Sequence, residues 1–145
     1  TAALVEKNTQ KALIALEALF KQGVNHILIH SVLAREIRML IQAKILTKAL
    51  SIKLSTHEFD YNRFLKSIHP VIKERSKSLG LQGSLANQNP YVVFMAIRNS
   101  TSFSFEDLRV YLQKLVEIDI SFKSTPKDPR ISLERFIIDV CSASK

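Results

Sequence analysis

The chain has 145 residues and a mass of 16.5 kDa, the length of one ordinary domain with a single core. With 46% apolar and 23% charged residues it resembles globular proteins and not disordered chains. It has 3 glycines and 4 prolines, where average usage would give roughly 17 in all, and this scarcity argues against a β-sandwich or barrel. No apolar run approaches the roughly 20 residues of a membrane helix and no secretory signal is evident, so we expect a cytoplasmic protein.

The net charge of +8 favours a polyanionic partner such as nucleic acid or a membrane surface. Residues 1–50 and 51–100 each carry seven basic and three acidic side chains, whereas residues 101–145 carry seven of each. The densest basic stretch, from Lys73 to Lys77, has two interpretations. It is either a solvated helix face or a nucleic-acid contact.

Apolar residues recur at helical spacing along nearly the whole chain, which predicts an all-α fold. The first helix is expected from about Glu6 to Gln22, with Gly23 ending it in a left-handed cap. Asn25 can cap a second, long helix that runs to about Leu50.

The middle of the chain predicts a helix that proline interrupts. Residues 55–58 read S-T-H-E, the form of a capping box, and open a third helix that reaches Ile68. Because proline disfavours a helical conformation in the preceding residue, we expect a break at Pro70 and a restart that runs to about Leu79. The polar composition of residues 80–89 predicts a flexible loop.

The last third predicts three more helices. Asn89, as an N-cap before a proline, starts a helix over 91–99. Residues 104–107 start another, which ends at 124–126, and Asp128 starts the last one. The sequence thus predicts a single bundle of about six to seven helices over residues 1–145.

Patterns of catalytic or cofactor-binding residues are absent or weak. The three glycines fit neither of the glycine-rich phosphate-binding patterns. His26 and His30 stand four residues apart, but no third ligand is evident, so surface or interface histidines are the better interpretation than a metal site. Cys141 lies on an apolar stripe and is expected in the core. We therefore expect no catalytic residue, no metal and no cofactor in this domain.

Three stretches, in order, carry a family resemblance. Residues 12–40 contain a leucine-rich helix, a glycine turn and the pattern L-x-R-x-x-R-x-L. Residues 89–108 contain a proline-led helix and F-S-x-x-x-L, and residues 119–141 read D-x-x-x-K and then L-E-x-F-I to Cys141. Together they resemble the C-terminal domain of the delta subunit of bacterial DNA polymerase III, a clamp-loader subunit.

The resemblance implies a helical collar domain that joins clamp-loader subunits into a ring in the bacterial cytoplasm and supports sliding-clamp loading in DNA replication. It also implies that the sliding clamp is contacted by N-terminal domains of a longer parent, and that the subunit lacks a working ATPase site. The chain begins with Thr1, not Met, which fits a C-terminal piece. Residues 47–88 are longer than the family's usual connection, so we expect an insertion there.

Candidate functional residues follow from the implied role in assembly on DNA. Arginines on a helix face can hydrogen-bond across a subunit interface, and basic or aromatic groups on the inner side can touch primer–template DNA. The interface candidates are Arg35, Arg38 and Arg109, and the DNA-proximal candidates are Tyr91, Arg98 and Lys123. The alternative is a free-standing basic helical domain that binds nucleic acid.

Overall fold

The computed structural model describes residues 2–52, 60–78, 80, 85–124 and 126–142, and within these ranges the regular elements are all helical. The α-helices are α1 (Ala2–Val5), α2 (Thr9–Lys21), α3 (His26–Ala49), α4 (Tyr61–Arg63), α5 (His69–Ser78), α6 (Pro90–Ser100), α7 (Phe105–Ser124) and α8 (Pro129–Ser142). A π-helical turn spans Phe64–Ile68 and a 3-10 turn spans Leu85–Asn87. The all-α prediction is confirmed. None of the described helices is long and apolar enough to cross a membrane.

The chain divides into two compact units. Residues Thr1–Arg38 and Glu106–Lys145 form the terminal unit, and Met39–Phe105 form the middle unit. Helix α3 therefore contributes its first half to the terminal unit and its second half to the middle unit. The expectation of a single domain over residues 1–145 stays a prediction.

The buried cluster that joins α2, α3 and α8 in the terminal unit is mainly aliphatic, while Tyr111 and Phe136 of the same unit form a buried aromatic contact. Helix α2 packs against α8, and their buried side chains meet Ile29 of α3. The most buried members are Leu16 on α2 and Leu133 and Cys141 on α8, each at most 3% exposed. The placement of Cys141 in the core is confirmed.

The core of the middle unit is partly aromatic. Phe64, Ile72, Val93 and Ile97 are fully buried, and Leu46 of α3 is 1% exposed. Burial of each such side chain stabilises a fold by roughly 1.5–3 kcal/mol before entropy is counted. The middle unit thus has a core of its own.

The beginning of the first helix differs from the prediction. The chain makes a short helix, α1, and then turns at Lys7, whose φ is +55°. The side chain of Asn8 accepts a hydrogen bond from the Lys11 amide at 3.0 Å, so α2 starts at Thr9 and not at Glu6. Its end is as predicted, because Gly23 takes a φ of +79° just beyond α2.

The predicted break at Pro70 is wrong, although proline does stand in the first turn of a helix as expected. His69, the residue before it, keeps helical angles of −58° and −43°, and its amide donates to the Phe64 carbonyl five residues back. The π-helical turn thus holds one extra residue in the hydrogen-bond ladder ahead of the proline. The helix passes Pro70 without an interruption.

The third helix starts later than the capping box at 55–58 predicts, because Asp60 is extended and its side chain accepts a hydrogen bond from the Arg63 amide at 3.0 Å, so the helix begins at Tyr61. The predicted starts of the second helix, the proline-led helix and the last helix are confirmed. Asn25, Asn89 and Asp128 accept hydrogen bonds from the amides of Ile27, Tyr91 and Arg130 at 2.8, 2.9 and 3.0 Å. The capping box at 55–58 lies outside the described residues.

Part of the predicted loop at 80–89 is anchored to helix α3. Leu85, in the 3-10 turn, is fully buried. Its amide donates to the Gln42 side-chain oxygen at 2.9 Å. This described part of the loop is therefore fixed by both packing and a hydrogen bond.

Candidate functional site

The six predicted site residues lie on three helices and are all exposed. The terminal unit holds four of them, and the middle unit holds Tyr91 and Arg98. The terminal-unit residues are Arg35, Arg38, Arg109 and Lys123. The interface candidates therefore share one unit, whereas the DNA-proximal candidates are divided between two.

Helix α3 presents an apolar exposed surface next to its arginines. Ile27, Leu28 and Val32 are 56%, 57% and 47% exposed. Leu28, Val32 and Arg35 follow one another at spacings of four and three residues, so they lie along one face of the helix. We call Ile27, Leu28, Val32, Arg35 and Arg38 the α3 face. Exposed apolar side chains beside arginine are typical of protein–protein interfaces.

Helix α7 carries a similar stripe around Arg109. Gln113, Val116 and Ile120 follow it at spacings of four, three and four residues, and all are exposed. Val116 and Ile120 are 45% and 58% exposed. Both long helices of the terminal unit therefore display arginine together with uncovered apolar side chains.

Arg109 is already bound within its own helix. Its Nε donates to Glu106 Oε2 at 3.1 Å, and its Nη2 donates to the other carboxylate oxygen. These hydrogen bonds and the nearby positive charge lower the pKa of Glu106 below its usual value. A partner that takes Arg109 must compete with this local pair.

Lys123 also has a local partner. Its Nζ donates to Asp119 Oδ2 at 3.2 Å, one helical turn earlier. The residues of the family-like D-x-x-x-K pattern thus form an exposed ion pair, a kind of pair that contributes little to stability. The cation is partly neutralised before any phosphate approaches it.

Tyr91 belongs to an aromatic cluster that sequence reasoning did not find. Its ring meets that of Tyr61 edge to face at 5.3 Å, and Tyr61 also contacts Phe94 at 5.5 Å and stacks on Phe64 at 6.5 Å. Tyr91 nevertheless remains 52% exposed. The spacing of Tyr61, Phe64 and Ile68, three and then four residues, was a signal that could have placed Tyr61 on this face.

Arg98 lies on the same face of α6 as Tyr91. Seven residues are almost two turns of an α-helix, so the two exposed side chains are aligned along the axis. Arg98 forms no ion pair with the part of the chain that the structure describes. An aromatic ring and a guanidinium in line can serve a base and its phosphate.

The positive charge of the chain is concentrated in the middle unit. This unit has nine basic and three acidic residues, a net charge of +6, whereas the terminal unit has twelve and ten, a net charge of +2. The ion pairs among the described residues join side chains of the terminal unit, and Lys114–Asp139 and Arg130–Glu134 are examples. No described cation of the middle unit is in such a pair.

The densest basic stretch is exposed on α5, and two further exposed cations precede it on α4 and in the π-helical turn. Phe64, Ile72 and Ser76 are buried, while the cations are all exposed. These cations are Arg63, Lys66, Lys73, Arg75 and Lys77. The helix face is solvated, so both interpretations of this stretch remain open.

The histidine pair packs against an aromatic ring. His26 and His30 both meet the Phe122 ring edge to face, at 4.7 and 5.7 Å, and are half-buried. Nε2 of His30 lies 2.6 Å from the Leu115 carbonyl oxygen, to which it donates. Among the described residues no group of three His, Cys, Asp or Glu side chains is placed to hold a metal ion.

Comparison with known proteins gives one family match. The model of the family described as DNA polymerase III delta subunit, C-terminal domain, matches residues 1–67 and 71–140. No curated protein and no solved structure matches the chain significantly. The expected insertion at 47–88 stays a prediction.

Proposed function

Because the chain belongs to the family formed by the C-terminal domains of DNA polymerase III delta subunits, we propose that it is the collar domain of a clamp-loader delta subunit. In this role it binds and does not catalyse. Its partners are other subunits of the polymerase complex, and contact with the sliding clamp belongs to other domains of the parent. The place of action is the bacterial cytoplasm.

The α3 face supports the proposed assembly role most directly. It combines three apolar side chains, each about half exposed, with two arginines on a helix that is otherwise well packed. Interfaces of this composition bury their apolar centre and keep arginine for hydrogen bonds across the boundary. The neighbouring subunit would cover Leu28 and Val32 and accept hydrogen bonds from Arg35 and Arg38.

A paired substitution on the α3 face tests this role. In Leu28→Glu with Val32→Glu, two carboxylates would have to enter an apolar interface, so we expect roughly hundredfold weaker assembly with the other subunits. Reconstitution of the complex followed by size-exclusion chromatography or calorimetry measures the effect. Arg35→Ala with Arg38→Ala is expected to weaken assembly by roughly tenfold.

Ile14→Glu is the matched control for the charge placed on an exposed apolar position. Ile14 is 59% exposed on α2 and belongs neither to the α3 face nor to the stripe around Arg109 on α7. Its substitution should leave assembly unchanged. Assembly at normal affinity by the Leu28/Val32 variant, with its helix content intact by circular dichroism, would overturn the proposal.

The DNA-proximal residues form a second part of the proposal. Tyr91 and Arg98 would contact primer–template DNA from one face of α6, and Lys123 would contact it from α7. Since Lys123 is held by Asp119, we expect Tyr91 and Arg98 to contribute more to DNA contact.

The alternative function, a free-standing nucleic-acid-binding domain, is favoured by one observation. The middle unit carries a net charge of +6 with no ion pair at any of its described cations. Gel-shift titration of the chain at several salt concentrations separates the two functions. Tight, steeply salt-dependent binding by the chain alone supports the alternative, and weak binding together with assembly into the complex supports the collar role.

A further inference from the structure

The middle unit contains an open groove of about 890 Å³ that is separate from all six predicted site residues. It lies between the C-terminal end of α3, the C-terminal end of α6 and the first residue of α7. Its walls are mostly apolar, with Ile45, Ala49 and the half-exposed ring of Phe105 among them. A groove of this size is in the range of small-molecule and peptide sites.

The hydroxyl groups of the groove are already used as donors. Thr47, Ser100 and Thr101 each donate to a carbonyl oxygen of their own helix at 2.7 Å. Among the described lining residues, a ligand therefore finds no hydroxyl donor that is not already engaged.

Carbonyl groups at the helix ends that border the groove are also engaged. At the end of α3 the amides of Leu50 and Ile52 donate to the carbonyl groups of Leu46 and Thr47 at 2.9 and 3.0 Å. At the end of α6 the amides of Ser102 and Phe103 donate to the carbonyl groups of Asn99 and Ser100. These bonds engage four of the helix-end carbonyl groups that would otherwise attract a cation or a donor.

The remaining polar side-chain groups that the described residues bring to the groove are two ammonium groups. Lys44 and Lys48 stand one helical turn apart on α3 and line the groove together. Neither is in an ion pair with the described residues, and they belong to a unit with nine basic and only three acidic side chains. A ligand that fits must bring negative charge to the rim and apolar groups to the walls.

We propose that this groove binds an acidic amphipathic segment of a protein partner, whose apolar side chains contact Ile45 and Phe105 and whose carboxylates pair with Lys44 and Lys48. A nucleic acid fits less well, because the hydroxyl groups in the apolar walls are already engaged and cannot donate to base edges. The unit also has a larger number of exposed cations between Arg63 and Lys77 for phosphates. The groove goes beyond the proposed assembly role, since none of Arg35, Arg38 and Arg109 lines it.

Fluorescence anisotropy on the full 145-residue chain tests this groove. The probe is a labelled helical peptide of about 12 residues, three turns or more, with leucines on one face and glutamates beside them. A second peptide with glutamine in place of each glutamate is the ligand control. We expect saturable binding of the acidic peptide and roughly tenfold weaker binding of the glutamine peptide.

Lys44→Glu with Lys48→Glu is the main variant, and it should weaken the acidic peptide by at least roughly tenfold. Lys73→Glu with Lys77→Glu makes the same charge change at the same spacing on α5 and should change the affinity by less than about twofold. Phe105→Ala should also weaken binding, because it removes an apolar wall. If the glutamate pair disturbs folding, Lys44→Gln with Lys48→Gln provides the same comparison.

Three results would overturn the inference: no saturable binding of the acidic peptide, an equal loss in the Lys73/Lys77 control, or displacement of the peptide by an oligonucleotide whose own binding depends on Lys44 and Lys48. The last result would identify a nucleic-acid site instead. Each is distinguishable from failure of the assembly role, because the α3 face is untouched in all of these variants.

Discussion

The terminal and middle units differ in what they expose to a partner. Charged side chains of the terminal unit are largely matched by opposite charges, and nine large apolar side chains are exposed among its described residues. In the middle unit the described cations have no ion pairs, and four large apolar side chains are exposed. Apolar, charge-balanced surface is typical of protein–protein contact, while unbalanced positive charge attracts anions.

The comparison assigns different partners to the two halves of one helix. The first half of α3 carries Leu28, Val32 and Arg35, and its second half carries Lys44 and Lys48. A subunit neighbour suits the first set, and an acidic segment of a protein partner suits the second. A single helix thereby belongs to two surfaces of different chemistry.

The largest expected effect is on the stability of the middle unit, and it comes from removing an aromatic side chain of its core. Phe64 is fully buried and contacts the rings of Tyr61, His69 and Phe94. Phe64→Ala should reduce the free energy of unfolding by about 3–5 kcal/mol, because a cavity replaces the ring. Urea unfolding followed by circular dichroism measures the loss.

Leu65→Ala is the control for Phe64→Ala, since Leu65 is 37% exposed on the next position of the same turn. It should cost less than about 1 kcal/mol. Equal losses of unfolding free energy in Phe64→Ala and Leu65→Ala would mean that the aromatic core does not stabilise the middle unit.

The next prediction separates unpaired from paired lysines. Lys73→Gln with Lys77→Gln should weaken binding of a single-stranded oligonucleotide and reduce the slope of log affinity against log salt by about 1.4, or about 0.7 for each phosphate interaction that is removed. Lys11→Gln with Lys21→Gln is the control in the terminal unit, where Glu6 and Glu17 lie 3.5 and 3.4 Å from these lysines. The same reduction of the salt slope in both variants would mean that lysines of the two units contribute equally to oligonucleotide binding.

A smaller effect is expected from the buried histidine of the middle unit. Burial, and then the positive charge of Lys73, lower the pKa of His69 below its ordinary value of 6.5. The unfolded chain therefore binds this proton more readily than the folded chain. Stability should be complete above about pH 6.5 and decline as the pH falls through 6.5 toward the lowered folded pKa.

Thermal unfolding at pH 7.5 and at lower pH measures this decline, and His69→Gln should reduce it. Lys73→Gln is the sharper variant, because it keeps the histidine and removes the charge that disfavours its protonation. That variant should show a smaller decline than the natural chain. An unchanged decline in both variants would mean that other groups set the acid stability.

The success of prediction from sequence depended on how local the signal was. The starts of α3, α6 and α8 could be predicted from the sequence, because the side chains of Asn25, Asn89 and Asp128 each cap the helix that follows them. The continuous helix at Pro70 could not be predicted, because it depends on a π-helical turn of the backbone that no particular residue type indicates.

The difference in charge pairing between the two units could be predicted only in part, because ion pairs between distant residues are not a local signal. Counting along the chain located the excess in the first two thirds, but Lys114 pairs with Asp139 and Arg130 approaches Glu17, contacts that exist only after folding. The groove beside Lys44 and Lys48 likewise joins residues that stand more than fifty positions apart. Site residues on single helices were therefore predictable as candidates, and their partners were not.

The smallest effect is expected where a terminal-unit arginine is already paired. Glu106→Gln removes the carboxylate that holds Arg109 and leaves the arginine available to a neighbouring subunit. Because both side chains of the pair are about two-thirds exposed, the thermal unfolding temperature should not change measurably. Assembly with the other subunits should strengthen by roughly two- to threefold if Arg109 crosses the interface.

Asp119→Asn is the matched control, since it frees Lys123 from a similar pair on the same helix without touching the interface candidates. It should leave the affinity for other subunits unchanged and instead improve oligonucleotide binding slightly. Weaker assembly on Glu106→Gln would show that Glu106 itself meets the neighbour and that Arg109 serves to orient it. The positively charged group that pairs with Glu106 across the interface would then belong to the neighbouring subunit.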